Sequence, residues 1–121
     1  MRLQDLIVTY DRAWGEPDEG ERRRLLEVSW ADDGELVDPG EGRFRGRDAV
    51  LARIAGFSER FPGARLEITS ALDEHHGFVR YAWTIFAADG RALLDGIDFA
   101  EVAEDGRLRR VVMFFGPLPD R

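Results

Sequence analysis

The sequence ADDGELVDPGEGRFRGRDAV, residues 31–50, is the segment that decides the fold. Residues 31–34 predict a turn, because Asp and Gly favour turn conformations. Residues 35–38 predict a short strand, which the following proline ends. Residues 40–46 predict a polar loop that carries Phe44. A helix begins after this loop, at Arg47-Asp48, so the segment predicts a short strand followed by a helix.

Two further helices are predicted before this segment. The first has one apolar face at helical spacing and ends at Gly15 and Pro17; the face consists of Leu3, Leu6, Ile7, Tyr10 and Trp14. The second begins within residues 18–21, whose acids suit the positive end of a helix dipole. Its predicted buried side consists of Leu25, Leu26, Ser29 and Trp30. The helix that begins at Arg47 buries Val50, Leu51, Ile54, Phe57 and Phe61 and stops at Pro62-Gly63.

Beyond residue 64 the apolar period changes from 3.6 to 2, which is typical of strands. Four long strands are predicted, in residues 66–72, 78–86, 91–102 and 108–115, with a turn at His75-His76-Gly77 and Asp-Gly turns further on. Helices before a run of antiparallel strands indicate one α+β domain over residues 1–121. We expect three helices packed on a strongly curved, mixed and mainly antiparallel sheet, which together enclose a cone-shaped apolar cavity.

Two of the long strands are apolar on both faces. In one of them Tyr81, Trp83 and Ile85 alternate with Phe78, Ala82 and Phe86; in the other Val111, Met113 and Phe115 alternate with Val112 and Phe114. Strands that are apolar on both sides are covered on both sides. The helices cover one face, so we expect a homodimer formed through the outer face of the sheet.

The composition excludes several classes of chemistry. The 121 residues include no cysteine and no lysine, which excludes disulfides, zinc–thiolate sites, thiol nucleophiles and lysine Schiff bases. All 17 basic residues are arginine, and the net charge of −7 argues against binding to nucleic acid. The N-terminus lacks a signal-peptide pattern, and no apolar run approaches the ~18–20 residues of a membrane span. We therefore expect a cytoplasmic protein that binds neither membrane nor nucleic acid.

The order of elements and the turn motifs resemble the NTF2-like superfamily, in particular its SnoaL-like and ketosteroid-isomerase-like branch. The resemblance covers nearly the whole chain and is carried by YDRAWGEPD from Tyr10, SWADDGELVDPGEGRFRGRDAV from Ser29, RYAW from Arg80, LLDGIDFAEVAEDGRLRRVVMFFG from Leu93 and the PLP end. Members of this fold include isomerases, cyclases, dehydratases, epoxide hydrolases and non-enzymes. The resemblance implies a small, mostly apolar ligand and, for the enzymes, acid–base chemistry without a cofactor or metal.

Three side chains resemble the isomerase catalytic set. Tyr10 resembles the oxyanion-hole tyrosine, Asp38 the general base and Asp98 the oxyanion-hole acid. A base removes a proton next to a carbonyl while donors stabilise the oxygen that becomes negative. A carboxylic acid can donate only where an apolar site keeps it protonated, and Asp98 lies between Ile97 and Phe99. Further tyrosines of the isomerase network are replaced here by Trp30 and Ile54.

The remaining pocket candidates are aromatic or aliphatic. They are Trp14, Trp30, Ile54, Phe57, Trp83, Val111, Met113 and Phe115. Asp98 shares its strand face with Gly96, which would leave room for a ligand. Each candidate also has a simpler interpretation: Asp38 as a turn residue before Pro-Gly, Asp98 as a buried acid paired with Arg80, and Tyr10 and Trp14 as core. The competing functional hypothesis is a non-catalytic ligand-binding or structural dimer.

Three other clusters of polar residues carry less functional signal. His75 and His76 next to Glu74 predict a solvated turn rather than a metal site, because adjacent side chains on an extended segment point apart. Residues 22–24, three consecutive arginines, predict a solvated helix face that pairs with nearby glutamates. Arg80 is expected to pair with Asp98 or Asp95 or to face the dimer interface. An Arg-x-Asp pattern resembling limonene epoxide hydrolases is absent, because Arg80-Tyr81-Ala82 occupies that place.

Overall fold

The computed structural model describes all residues from 1 to 121, and three helices pack on a mixed sheet of seven strands. The helices are α1 (Leu3–Gly15), α2 (Glu19–Ser29) and α3 (Arg47–Arg60). The strands are β1 (Trp30–Asp38), β2 (Gly42–Arg45), β3 (Arg65–Ile68), β4 (Asp73–His75), β5 (Phe78–Phe86), β6 (Ala92–Val102) and β7 (Leu108–Phe115). The predicted α+β class and the three helices are confirmed.

The sheet is mainly antiparallel, as predicted. Its strand order is β2-β1-β7-β6-β5-β3, and β4 pairs with β5 beside this path. Strands β1 and β7 form the only parallel pair, which brings the strand from the first half of the chain next to the last strand. Because β5, β6 and β7 are adjacent, side chains on their inner faces meet over the core.

The predicted helix ends agree with local chemistry. Helix α2 begins after Asp18, whose carboxylate accepts a hydrogen bond from the Glu21 N–H at 2.8 Å; this is a standard N-cap interaction. Helix α1 ends at Gly15 and α3 ends before Pro62, as predicted.

The three arginines of α2 differ in their surroundings. Arg24 pairs with Glu21 one turn away. Arg22 is buried and donates to the Pro17 carbonyl, so the expectation of a solvated face is wrong for Arg22.

The turn predicted at residues 31–34 is wrong, because these residues lie within β1. Strand β1 pairs with β7 at Trp30 and again from Glu35 onward, with an irregular register between them. A Cβ atom at Gly34 would lie 2.9 Å from the Leu108 carbonyl oxygen. The glycine that suggested a turn is therefore required by the close approach of β7 to a bulged strand.

The loop predicted at residues 40–46 contains β2, which pairs with β1 in antiparallel fashion. Phe44 lies opposite Leu36 and packs on the core. The sequence did not indicate this strand, because one apolar side chain is too few to produce an alternating pattern.

The strand predicted at residues 66–72 ends at Ile68. Beyond it, the Ser70 hydroxyl accepts the Ala82 N–H, which replaces the backbone partner of a continuing strand.

The histidine turn is shorter than predicted. His75 is the last residue of β4, and the turn itself is formed by His76 and Gly77, both with positive φ (53° and 84°). Arg80 lies on the outer face of the sheet and donates to Asp73 at 2.7 Å. The expectation that Arg80 pairs with Asp98 or Asp95 is therefore wrong, because Asp98 points to the opposite face and Asp95 accepts from Thr84. The alternative that Arg80 faces a dimer interface stays a prediction.

The core lies between the helices and the inner face of the sheet. It comprises 22 buried apolar side chains, including Trp30, Ile54, Trp83, Val111 and Met113 from the predicted pocket set. None of the three helices is long and apolar enough to cross a lipid bilayer.

Candidate active site

Asp98 is the polar centre of the core. Its side chain projects from the inner face of β6, and the residue is only 2% exposed. Tyr81 Oη donates to Asp98 Oδ2 at 3.0 Å, and Trp83 Nε1 donates to Asp98 Oδ1 at 2.7 Å. The register of β5 on β6 explains both contacts, since Tyr81 lies directly opposite Asp98 and Trp83 lies two residues further along the same face.

Gly96 makes room for the Trp83 indole. Trp83 is the cross-strand partner of Gly96, and a Cβ atom at Gly96 would overlap with the Cζ2 and Cη2 atoms of the indole. The expectation that Gly96 leaves room for a ligand is therefore wrong, because the indole fills that space. The absence of a side chain at position 96 instead allows Trp83 to reach Asp98.

The environment of Asp98 raises its pKa from 3.8 to about 7. Burial is the largest cause, because it disfavours the charged carboxylate. The hydrogen bonds from Trp83 and Tyr81 oppose the rise, and the negative charge of Asp38 adds to it. Near neutral pH a part of Asp98 is therefore the carboxylic acid, which can donate a hydrogen bond as well as accept one.

Tyr10 and Asp11 bring two more polar groups into the interior from α1. The Tyr10 hydroxyl and both Asp11 carboxyl oxygens are buried without a hydrogen-bond partner. Burial raises the pKa of Asp11 well above its usual range, and the charge of Asp98 raises it further. The pKa of Tyr10 is also raised, chiefly by burial and then by Asp98 and Asp11, while the nearby Trp14 opposes this without completing a well-aligned hydrogen bond.

Asp11 was not predicted as a site residue, although its position on the helix indicates that it points to the core. Residue 11 is four residues after Ile7 and three before Trp14, so it lies on the same helix face as these buried side chains. An unpartnered carboxyl group in a protein interior is costly. Buried acids with a strongly raised pKa, as Asp11 has, occur preferentially at functional sites.

Asp38 lies at the end of β1, and both of its oxygens are engaged. Oδ2 accepts from Arg53 Nε at 2.9 Å, and Oδ1 accepts from the Gly40 N–H at 2.9 Å. The second contact is the turn chemistry that the sequence allowed for an Asp before Pro-Gly. The ion pair with Arg53 was not predicted. Arg53 follows Val50 by three residues and precedes Phe57 by four, so it flanks the apolar face of α3.

Aromatic rings surround these acids. Tyr10 packs on Trp30 with ring centroids 5.2 Å apart, and Trp14 packs on Phe57 at 5.5 Å. The Arg53 guanidinium lies 5.5 Å from the Trp14 ring centroid. Phe115 stacks edge-on against Trp83 but is 37% exposed, so it lies at the edge of the core.

The network around Asp98 differs from the one inferred from the resemblance. Trp30 and Ile54 were expected to stand where the isomerases have supporting tyrosines. Both side chains are buried, but neither donates to Asp98, and the Trp30 indole N–H has no acceptor. The tyrosine that supports Asp98 is Tyr81 on β5. The sequence alone did not establish the register that places Tyr81 opposite Asp98.

Five cavities of the structure lie beside the acids rather than between them. None of these five is lined by Asp38, Asp98 or Tyr10. A cleft of about 510 Å³ between β2 and α3 is lined by Arg53 and Phe57. A groove of about 430 Å³ between α1 and β3 is lined by Asp11. The enclosed cone-shaped cavity stays a prediction. No cluster of His, Cys, Asp or Glu side chains has an arrangement suited to a metal ion.

Comparison with known structures identifies proteins that are similar to this chain. A candidate isomerase of the SnoaL-like family from Agrobacterium tumefaciens is 31% identical, with 94% of this chain and 97% of that chain covered and a TM-score of 0.87. A candidate polyketide cyclase from Sinorhizobium meliloti is 15% identical, with 91% and 94% covered and a TM-score of 0.71. A protein with a ketosteroid-isomerase-like fold from Catenulispora acidiphila, in complex with trimethylamine, is 12% identical, with 93% and 85% covered and a TM-score of 0.75.

The last two relatives share the fold alone, as do neighbours described as NTF2-like or cystatin-like. Comparison with curated proteins finds no match. The family model of the SnoaL-like domain matches residues 9–111, which run from the middle of α1 into β7 and include Asp11, Asp38 and Asp98. The chain belongs to the SnoaL-like family and has its NTF2-like fold.

Proposed function

We propose that the protein binds a small, mostly apolar carbonyl compound against the inner face of the sheet and moves a proton next to the carbonyl without a cofactor. The reaction class is that of a ketosteroid isomerase or a polyketide cyclase. The observation that carries this proposal is Asp98, a fully buried acid with a pKa of about 7, held by two donors near the unpartnered Tyr10 hydroxyl.

In this mechanism Asp38 is the base. Its carboxylate takes a proton from the carbon next to the carbonyl, and the electrons of that C–H bond form an enolate. Tyr10 and protonated Asp98 donate to the enolate oxygen, where the negative charge develops. In an isomerisation Asp38 returns the proton to another carbon. In a cyclisation the enolate carbon attacks a second carbonyl carbon, and the alkoxide formed from that carbonyl takes the proton back from Asp38. Neither route needs an oxidant, a reductant or a metal.

Several features support these roles. Tyr10 has a free hydroxyl inside the core, so it can donate to a ligand without losing an existing hydrogen bond. The charge of Asp38 acts on Asp98, which indicates that both acids influence one region of the interior. The apolar side chains of Trp14, Trp30 and Trp83 are part of the core that surrounds it. The similarity to a candidate isomerase at 31% identity supports the same reaction class.

An exchange assay in D₂O tests the proposal. The protein is incubated with a Δ5-3-ketosteroid, 2-tetralone and a methyl β-ketoester, and deuterium uptake next to each carbonyl is followed by NMR. We expect uptake above buffer for at least one probe. Asp38→Asn should reduce the rate by about 10²–10⁴-fold, because it removes the base.

Asp33→Asn is the matched control, because Asp33 lies on the same strand but is exposed. This variant should exchange as fast as the wild type. Exchange that survives unchanged in Asp38→Asn would contradict the role of Asp38. Failure of all three probes would contradict the catalytic proposal and favour a non-catalytic ligand-binding protein.

A second candidate function, assembly into a homodimer, is supported by the outer face of the sheet. Four large apolar side chains there are between 41% and 54% exposed: Phe78, Ile97, Phe99 and Phe114. Phe99 and Phe114 stack edge-on across β6 and β7 with centroids 5.7 Å apart. An exposed aromatic patch of this kind is typical of an interaction surface. We propose that a second copy of the chain covers it.

Light scattering with size-exclusion chromatography tests the dimer. The wild type should elute with twice the chain mass of 13.7 kDa, and Phe99→Glu should elute as a monomer, because a dimer would have to bury two added carboxylates. Leu118→Glu is the control, since Leu118 is an exposed apolar residue outside the sheet. A monomeric wild type, or a Phe99→Glu variant that stays dimeric, would contradict this interface.

A further inference from the structure

The cleft between β2 and α3 combines an aromatic floor with two arginines. Its volume is about 510 Å³. Phe44, Phe57 and Phe61 contribute the aromatic part, while Arg53, Arg60 and Glu41 contribute the charges. Gly56 widens the cleft, since a Cβ atom there would meet nothing within 4 Å. Two positive charges and one negative charge give the cleft a local excess of +1 in a protein of net charge −7.

Arg53 uses only part of its guanidinium within the protein. Its Nε donates to Asp38, and its two Nη atoms make no hydrogen bond to any protein group. The side chain is 17% exposed and lines the cleft. Arg53 is therefore held firmly at one edge by Asp38 and by the Trp14 ring, while its other donors remain free.

Arg60 adds a second free cation about two helical turns further along α3. Its guanidinium lies 5.4 Å from the Phe61 ring centroid, and no carboxylate lies within ion-pair distance. The planar fork of donors in arginine fits a carboxylate, and an aromatic ring contributes a flat apolar surface beside it. The two groups together match a ligand with an anionic end and an aromatic body.

We propose that this cleft binds the carboxylate of an aromatic or similarly apolar acid, with the free Nη donors of Arg53 as its anion receptor and Arg60 as a second cation. The substrate class of the site is then a carboxylate-bearing ketone rather than a neutral one. This identification of the ligand as the substrate rests on the proposed function; the binding of the carboxylate does not. Since Arg53 also holds Asp38, the bound acid lies beside the proposed base.

Binding is tested with 2-naphthoate, and 2-naphthylmethanol serves as its neutral counterpart. Titrations are followed by ¹H–¹⁵N NMR of the three tryptophan indole N–H groups, and the Trp14 signal is assigned from Trp14→Phe. We expect naphthoate to bind at least tenfold more tightly than the alcohol and to shift the Trp14 signal, because the Trp14 ring contacts both Arg53 and Phe57.

Variants of the cleft distinguish an effect of charge on binding from an effect on folding. Arg53→Lys keeps a cation beside Asp38 but loses the fork, and it should weaken naphthoate binding about tenfold while changing binding of the alcohol less than twofold. Arg60→Gln leaves the Asp38 ion pair intact and should weaken naphthoate binding severalfold. Glu41→Gln should strengthen it. Arg65→Gln is the control with equal charge change, because Arg65 stacks on Phe86 outside the cleft.

Equal affinity for acid and alcohol would overturn the inference, as would naphthoate binding that neither Arg53→Lys nor Arg60→Gln weakens. The NMR spectra report in the same experiment whether each variant is folded. Because the titration needs no turnover, its failure differs from failure of the exchange assay. Neutral ketones that exchange deuterium without any carboxylate binding would refute the cleft alone, and naphthoate binding without exchange would refute the catalysis alone.

Discussion

Asp98→Asn should lower the rate of proton transfer by about 10²–10³-fold, which is the usual effect of removing one donor from an oxyanion hole. Asparagine keeps the volume of the side chain, but its amide is a weaker donor than a carboxylic acid. Its single oxygen replaces the carboxyl oxygen that accepts from Trp83, and its NH₂ group then faces Tyr81, whose hydroxyl has to accept instead of donate. The measurement is deuterium exchange of the most reactive ketone probe.

The pH dependence of the same rate identifies the role of Asp98. As a donor, Asp98 has to be protonated, so the wild-type rate should fall as pH rises through about 7. Asp98→Asn should lack this decrease. A wild-type rate that rises through the same pH range would show that Asp98 acts as a base, and the assignment of roles between Asp38 and Asp98 would then be wrong.

Stability provides an independent measurement on the same variant. The pKa of Asp98 is raised in the folded state, so the folded protein binds a proton more tightly than the unfolded chain. The stabilisation from this proton is complete below pH 3.8 and is lost as pH rises through about 7. The loss amounts to about 4 kcal/mol. The amide in Asp98→Asn does not titrate, so the stability of the variant relative to the wild type should increase by about this amount across that range.

Urea unfolding at several pH values between 4 and 8 measures this difference. The control is Asp95→Asn, because Asp95 is on the same strand but points to the outer face and accepts from Thr84 at 2.7 Å. The control should not show the pH-dependent gain of Asp98→Asn. A constant difference between wild type and Asp98→Asn over the whole pH range would mean that Asp98 is ionised throughout.

The sequence predicts those parts of the fold that depend on local periodicity. The apolar face of α1 and the alternation along β6 both follow from side-chain spacing, which is why Tyr10 and Asp98 could be identified as interior residues. The errors fall where tertiary contacts override local preference. Residues 31–34 have turn composition, yet pairing with β7 extends them as part of β1.

The contacts of the candidate site could not be predicted from the sequence. Tyr81 was placed on the same strand face as the pocket candidate Trp83, but its bond to Asp98 depends on the β5–β6 register, which no local pattern specifies. The partner of Asp38 is 15 residues away on another element. An arginine beside an apolar helix face usually extends into solvent, so the residue type of Arg53 did not indicate a role in the site. Gly96 was interpreted as room for a ligand because the sequence does not show that the Trp83 indole lies against it.

Asp11→Leu should stabilise the protein by about 2–4 kcal/mol at pH 8, because it replaces an unpartnered buried carboxyl group with an apolar side chain that favours helix. Burial raises the pKa of Asp11, so the cost of its charge appears only above the unfolded value of 3.8. The gain should therefore be smaller at pH 3.5 and grow as pH rises. Urea unfolding at both pH values measures it. Asp5→Leu, on the exposed side of α1, is the control and should give no gain.

The same variant separates a functional role of Asp11 from a structural one. Replacing a residue that stabilises the fold should lower the free energy of unfolding. Replacing a residue that serves the chemistry can raise the free energy of unfolding while it lowers the activity. We expect Asp11→Leu to be more stable and to exchange deuterium at least about tenfold more slowly, since Asp11 and Asp98 interact in the same interior. A more stable variant with the wild-type rate would exclude Asp11 from the proton transfer and leave Asp38, Asp98 and Tyr10 as its participants.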